Sequence, residues 1–87
     1  ILNLKENVMF DQVTKIEFDG KTYRQYHGSP FDRGSADSYY GRNRNPHKGG
    51  VGGDSGPRIE QLTEAEIEAY HAGYDYNEQY GDKKNYY

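Results

Sequence analysis

The sequence contains no cysteine and no tryptophan, and it is poor in apolar residues generally. Without cysteine it has no disulfide and no thiolate metal ligand, which is typical of a protein from a reducing cytoplasm. Hydrophobic residues make up 32% of the 87 residues, below the usual apolar share of roughly 45–50%, which also counts glycine. We therefore expect one small domain with a thin core and no enclosed substrate cavity.

Long apolar runs are also missing, so we expect no transmembrane helix. The first residues include Lys5 and Glu6 and lack the apolar segment of a signal peptide, which favours a cytoplasmic location. No catalytic constellation is recognisable, and the glycine run at 49–53 lacks the strand and the lysine of a phosphate-binding loop. We expect a non-enzymatic protein without a cofactor.

Tyrosine is abundant where other large apolar residues are scarce. The ten tyrosines each bring a large ring with a polar tip. The net charge of −3 is unevenly spread, because residues 1–50 carry eight Lys/Arg and six Asp/Glu, whereas residues 51–87 carry three and eight. We expect a marginal, tyrosine-rich core that a partner or self-association completes.

A β-hairpin is predicted over residues 13–26. Two β-branched and aromatic runs flank Asp19-Gly20, the pair of residues that favours a type I′ turn. A two-residue turn sets Phe18 opposite Lys21 and Ile16 opposite Tyr23. Ile16, Phe18 and Tyr23 then share the face that we expect to be buried.

The first of two predicted helices begins after Ser29, with Pro30 at its first position, and runs to about Tyr40, where Gly41 ends it. Small residues such as Gly34 allow another backbone to approach closely.

The second helix opens with a capping box, Thr63 to Glu66, and reaches Gln79 or Tyr80 before Gly81. Ile67, Tyr70 and Tyr74 recur at helical spacing and define its packed face, with Gly73 beside them.

The predicted fold class is α+β, with an N-terminal hairpin packed on a helix-loop-helix unit that contains a long glycine-rich loop. One domain is expected: an arm and hairpin (1–28), the two helices and their loop (29–80) and a polar tail (81–87). The pattern at residues 1–12 is compatible with an extended arm or an edge strand. The loop at 43–62 resembles a linker in composition, so we expect it to be either mobile or functional.

Several short motifs carry a family resemblance: Arg33-Gly34, Gly41-Arg42, Asn45-Pro46-His47 and Tyr70-x-x-Gly73-Tyr74. Together they resemble the ribosome modulation factor family of short helix-loop-helix proteins, with tyrosines at the two tryptophan positions of its second helix. The resemblance implies binding to the small ribosomal subunit. The whole chain is also similar to small uncharacterised proteins of T4-like marine phages.

An RNA or partner surface is predicted around the end of the first helix, where cations alternate with aromatic rings. The candidate residues are Arg33, Tyr39, Tyr40, Arg42, Arg44, His47 and Lys48. The alternative is an ordinary solvated helix end, which the helix dipole makes favourable for cations.

A protein interface or self-assembly surface is the second hypothesis, because tyrosine is enriched at interfaces. Its candidates are Tyr76, Tyr80, Tyr86 and Tyr87. The acids of the second half either mimic a nucleic-acid backbone or form a solvent face; these are Glu60, Glu64, Glu66, Glu68, Asp75 and Glu78.

Metal binding is not predicted. His27, His47 and His71 lie at no helical ligand spacing.

Overall fold

The computed structural model describes residues 15–52 and 55–84. Its elements are β1 (Lys15–Phe18), β2 (Lys21–Arg24), α1 (Pro30–Tyr39) and α2 (Glu64–Tyr80). A two-stranded antiparallel hairpin packs against two helices, which confirms the α+β prediction. The arm predicted at residues 1–12 lies outside the described residues.

The hairpin has the predicted register. Phe18 pairs with Lys21 and Ile16 with Tyr23. Asp19 and Gly20 have φ angles of 56° and 82°, as a type I′ turn requires at both central positions. Ile16, Phe18 and Tyr23 are half-buried on one face, while the residues between them are exposed.

Helix α1 begins and ends as its sequence predicts. The Ser29 hydroxyl accepts a hydrogen bond from the Asp32 N–H at 3.1 Å, and Pro30 occupies the first turn. The helix ends at Tyr39, with Tyr40 as its C-cap. Gly41 follows with a φ of 72°, a left-handed conformation that glycine adopts without a steric penalty.

Helix α2 opens with the complete capping box. The Thr63 side chain accepts from the Glu66 N–H at 3.2 Å, and the Glu66 carboxylate accepts from the Thr63 N–H at 2.9 Å. The helix ends at Tyr80, and Gly81 is its C-cap. Among the residues that the structure describes, no helix is long and apolar enough to cross a membrane.

The two helices meet through small residues and two large rings. Phe31 of α1 and Tyr70 of α2 are both 0% exposed. The prediction that Ile67 lies on the packed face is wrong, because its side chain is 38% exposed. The buried positions of α2 begin only at Tyr70, so the first turns of α2 are left uncovered.

Hydrogen bonds hold the connection between the helices against the rest of the fold. Lys48 and Ile59 form an isolated antiparallel bridge, with N···O distances of 3.0 and 2.9 Å. The Gly49 N–H donates to the Gly28 carbonyl at 2.8 Å, which ties the loop to the segment before α1. Lys48, Gly49 and Ile59 of the loop therefore have backbone hydrogen-bond partners within the chain.

Candidate functional site

An open groove lies between the turn end of the hairpin and the C-terminal half of α2. Three aromatic rings line it: Phe18 from β1, and Tyr76 and Tyr80 from α2. The Phe18 ring centroid lies 5.6 Å from that of Tyr76 and 6.4 Å from that of Tyr80, with nearly perpendicular ring planes. The two tyrosine rings are 5.2 Å apart. The two contacts of Phe18 are edge-to-face, which is a favourable arrangement, and the three rings together form one aromatic floor.

Local sequence explains how these rings come together. Tyr76 and Tyr80 are four residues apart on α2 and therefore lie on the same helix face. Phe18 is the last residue of β1, and its orientation follows from the strand alternation that buries Ile16 and Phe18 on one face. Tyr76 also contacts the core, because its ring lies 5.8 Å from that of Phe31.

The floor is accessible to solvent at Tyr80. Tyr80 is 69% exposed, which makes it the most exposed of the large hydrophobic residues among those described. The groove has a volume of about 530 Å³. Tyr80 is the exposed ring of the floor, whereas Phe18 and Tyr76 are half-buried.

Carboxylates form the rim of the groove. Glu17 and Asp19 border it on the hairpin side and Asp75 on the α2 side. Asp75 forms an ion pair with Arg44. Within residues 15–52 and 55–84, Glu17 and Asp19 make no ion pair. The rim therefore carries two carboxylates that no ion pair within this part of the chain engages, although Lys21 lies near enough to Asp19 to interact with it electrostatically.

The four cations of the predicted RNA surface are each paired with an acid of the same chain. Their partners are Asp32 for Arg33, Asp37 for Arg42, Asp75 for Arg44 and Glu66 for Lys48. The Arg33 side chain is only 14% exposed. A nucleic-acid phosphate would have to compete with these carboxylates, which weakens the electrostatic attraction on which such binding depends.

Two of these arginines also lie on tyrosine rings. The Arg42 guanidinium is 4.7 Å from the Tyr40 ring centroid, and that of Arg44 is 4.2 Å from the ring of Tyr74. The ring of Tyr39 meets that of Tyr40 edge-on at 4.9 Å. The structure thus brings these residues together as arginine–tyrosine–carboxylate groups.

His47 lies in the interior at 4% exposure, where its ring has little surface to offer to RNA. Its Nδ1–H donates to the Asn45 carbonyl at 2.8 Å and lies 3.9 Å from the Asp37 carboxylate. The Tyr70 hydroxyl donates to Asp37 and accepts from the Asn45 N–H at 2.9 Å. Burial and the bond to the carboxylate raise the pKa of Tyr70 well above its ordinary value. This cluster connects α1, the loop and α2.

Ion pairs engage most of the acids of the second half. Glu60, Glu66, Glu68, Asp75 and Glu78 each pair with a cation, whereas Glu64 has no such partner within the described ranges. These pairs agree better with a solvent face than with a row of free carboxylates that mimics nucleic acid. In the part of the chain that the structure describes, no group of histidines and acids has a metal-binding arrangement.

We compared the chain with known protein families, curated proteins and solved structures. No protein-family model, curated protein or solved structure matches this chain. The ribosome modulation factor resemblance therefore stays a prediction.

Sequence reasoning named two of the three groove rings. Tyr76 and Tyr80 were predicted to be interface residues, and both line the groove; Tyr86 and Tyr87 lie outside the described residues. Sequence reasoning missed Phe18 and the carboxylates of Glu17 and Asp19 as site residues. The sequence feature that could have identified these three residues is the Asp19-Gly20 turn. When the hairpin packs on α2, the residues at its turn come to lie beside the groove.

Proposed function

We propose that this chain is a non-enzymatic protein-interaction module that binds a segment of another polypeptide in the groove between β1 and α2. The observation that carries this proposal is the aromatic floor of Phe18, Tyr76 and Tyr80, with Tyr80 69% exposed. Aromatic residues in such positions supply much of the binding energy of protein interfaces.

The openness of the groove favours a polypeptide over a small molecule. Sites for small ligands bury most of the ligand surface in a concave pocket. Here Glu17, Asp19 and Tyr80 are all exposed, so a small ligand would keep much of its surface in water. A peptide segment gains by contacting the floor and the rim together.

The polar residues of the interior support a non-enzymatic role. Asp37, Tyr70 and His47 are bonded to one another or to the backbone of Asn45. Their hydrogen bonds join secondary-structure elements, and all three residues are buried. We assign them to stability.

Selection from a random peptide display library tests the proposal. Peptides that bind the purified protein are synthesised, and their affinity is measured for the wild type, for Tyr80→Ala and for Tyr26→Ala. Tyr26 is the matched control, since it is 45% exposed and does not line the groove. We expect Tyr80→Ala to weaken binding by more than about tenfold and Tyr26→Ala to leave it unchanged. Selected peptides that bind both variants equally would overturn the proposal.

Association with the ribosome or with RNA is the second candidate. Arg42, Arg44, Tyr40 and Tyr74 favour it, because unpaired bases stack on aromatic rings and on arginine guanidinium planes, and both kinds of group lie together here. It has less support than the groove, since both arginines are paired with carboxylates. Co-sedimentation with ribosomes at low and moderate salt tests it. Pelleting that is lost in the Arg42→Ala/Arg44→Ala double variant would favour this candidate.

A further inference from the structure

We infer that the segment bound by the groove is positively charged and carries an arginine or lysine beside an apolar side chain. This inference rests on the proposed function and specifies its partner. The apolar side chain contacts the floor of Phe18, Tyr76 and Tyr80. The cation lies between the exposed face of Tyr80 and the carboxylates of the rim.

The distribution of ion pairs supports a cationic partner. Within the described ranges, four acids have no paired cation: Glu17, Asp19, Glu64 and Asp82. Two of these four, Glu17 and Asp19, border the same groove. Complementary charge across an interface accelerates association and excludes like-charged partners, so the rim selects for cations.

The chain also shows the same chemistry within its own fold. Arg44 lies over the Tyr74 ring at 4.2 Å and pairs with Asp75. Arg42 lies over the Tyr40 ring and pairs with Asp37. In both cases one guanidinium meets a tyrosine ring and a carboxylate, a favourable combination for arginine.

On the hairpin side the groove offers these two groups without an arginine, whereas Asp75 on the opposite side is already paired with Arg44. Tyr80 supplies the exposed ring, and Glu17 and Asp19 supply the carboxylates. An arginine from outside would complete an arrangement that this fold already contains twice.

A second copy of the chain is a poor occupant. Among the described residues, the cations without an ion pair are Lys15, Arg24 and Lys84. Lys15 and Arg24 face each other across the hairpin, one from each strand, and Lys84 follows Lys83, which is engaged by Glu78 and Ser38. The described chain therefore has no continuous basic segment to place in the groove of another copy, and we infer a different polypeptide.

Fluorescence anisotropy with two matched peptides tests the inference. One labelled peptide contains arginines around a leucine, and the other has citrulline, a neutral isostere, in place of each arginine. Each is titrated with the wild type, with Glu17→Gln/Asp19→Asn and with Glu64→Gln/Asp82→Asn. Both double variants remove two carboxylates without an ion pair, but only the first removes those of the groove.

We expect the arginine peptide to bind the wild type at least about fivefold more tightly than the citrulline peptide. Glu17→Gln/Asp19→Asn should remove this preference, since two exposed charge pairs contribute about that much. Glu64→Gln/Asp82→Asn should retain it. An equal loss in both double variants would indicate attraction to net charge alone and would overturn the inference.

Two further outcomes separate the inference from the proposed function. Equal binding of both peptides, abolished by Tyr80→Ala, would overturn the cationic partner and leave a peptide-binding groove. No binding of either peptide, together with a dimer in light scattering that Tyr80→Ala dissociates, would show that a second copy occupies the groove. That result would overturn the inference of a different polypeptide.

Discussion

Gly34 of α1 lies directly against the backbone carbonyl of Tyr70 in α2. A Cβ atom built on Gly34 would overlap that oxygen and would lie 2.9 Å from the backbone nitrogen of Tyr74. Gly73 of α2 has the reciprocal relationship with the Phe31 carbonyl of α1. The two helices thus approach closely enough that only a hydrogen atom fits at each crossing position.

Replacing Gly34 with alanine should therefore destabilise the fold. Helix propensity alone predicts a gain of about 1 kcal/mol from this change. Because the added methyl group would force the helix backbones apart, we expect a net loss of about 1–3 kcal/mol instead. Thermal or urea unfolding of Gly34→Ala measures it, with Ser35→Ala on the same helix as the control. A stabilised Gly34→Ala variant would contradict the close packing of α1 on α2.

Removing the Tyr70 hydroxyl should also lower the stability of the fold. The change Tyr70→Phe leaves the Asp37 carboxylate without one partner in a buried site and removes the acceptor of the Asn45 N–H in a part-buried one. We expect a loss of about 1–3 kcal/mol in the free energy of unfolding. The control is Tyr26→Phe at an exposed position, where we expect a change within about 0.5 kcal/mol. Equal effects at the two positions would contradict the structural role of the cluster.

The raised pKa of Tyr70 predicts alkaline destabilisation. Above about pH 10 an unfolded tyrosine loses its proton, whereas the folded protein still holds the proton of Tyr70 between the phenol and Asp37. The stabilisation is present below the unfolded pKa and is lost as the pH rises through the folded value. Unfolding followed from pH 9 to 11 should show a shallower fall of stability in Tyr70→Phe than in the wild type. Parallel curves would contradict the raised pKa.

The Glu66 carboxylate should make the stability of the fold depend on pH in the acidic range. The hydrogen bond from Lys48, followed by that from the Thr63 backbone, lowers the pKa of this carboxyl. Its contribution is present above the ordinary pKa and is lost as the pH falls through the lowered one.

In Glu66→Gln we expect a loss of less than about 1 kcal/mol at neutral pH, because the ion pair is partly exposed. The difference from the wild type should shrink as the solution is acidified below about pH 4.5. Glu64→Gln is the control, because Glu64 has no ion pair within the described ranges. A difference that stays constant with pH would show that the charge of Glu66 contributes nothing.

Elements with strong local signals could be predicted from the sequence. Asp19-Gly20, the Ser29-Pro30 start and the Thr63 to Glu66 capping box determine backbone geometry within a few residues, and all three are confirmed. The spacing of small residues also indicated close helix approach, which Gly34 and Gly73 show.

The pairing of surface charges and the burial of single side chains could not be predicted. Both depend on contacts between residues that are far apart in the sequence. Arg44 belongs to a basic stretch in sequence, yet Asp75, far along the chain, neutralises it. Ile67 has the spacing of a buried residue but is exposed, and the buried positions of α2 begin one turn later at Tyr70. His47 is interior because Asp37 and Asn45 meet there.

The groove lies between the hairpin turn and the end of α2. Chemical-shift mapping tests most directly whether a peptide binds there. The arginine–leucine peptide is titrated into the isotope-labelled wild-type protein, and the perturbed amide and ring signals are assigned. We expect the largest shifts at Phe18, Tyr76 and Tyr80, with Glu17 and Asp19 beside them. Shifts confined to the Arg42, Arg44 and Tyr74 surface would contradict the groove as the binding site.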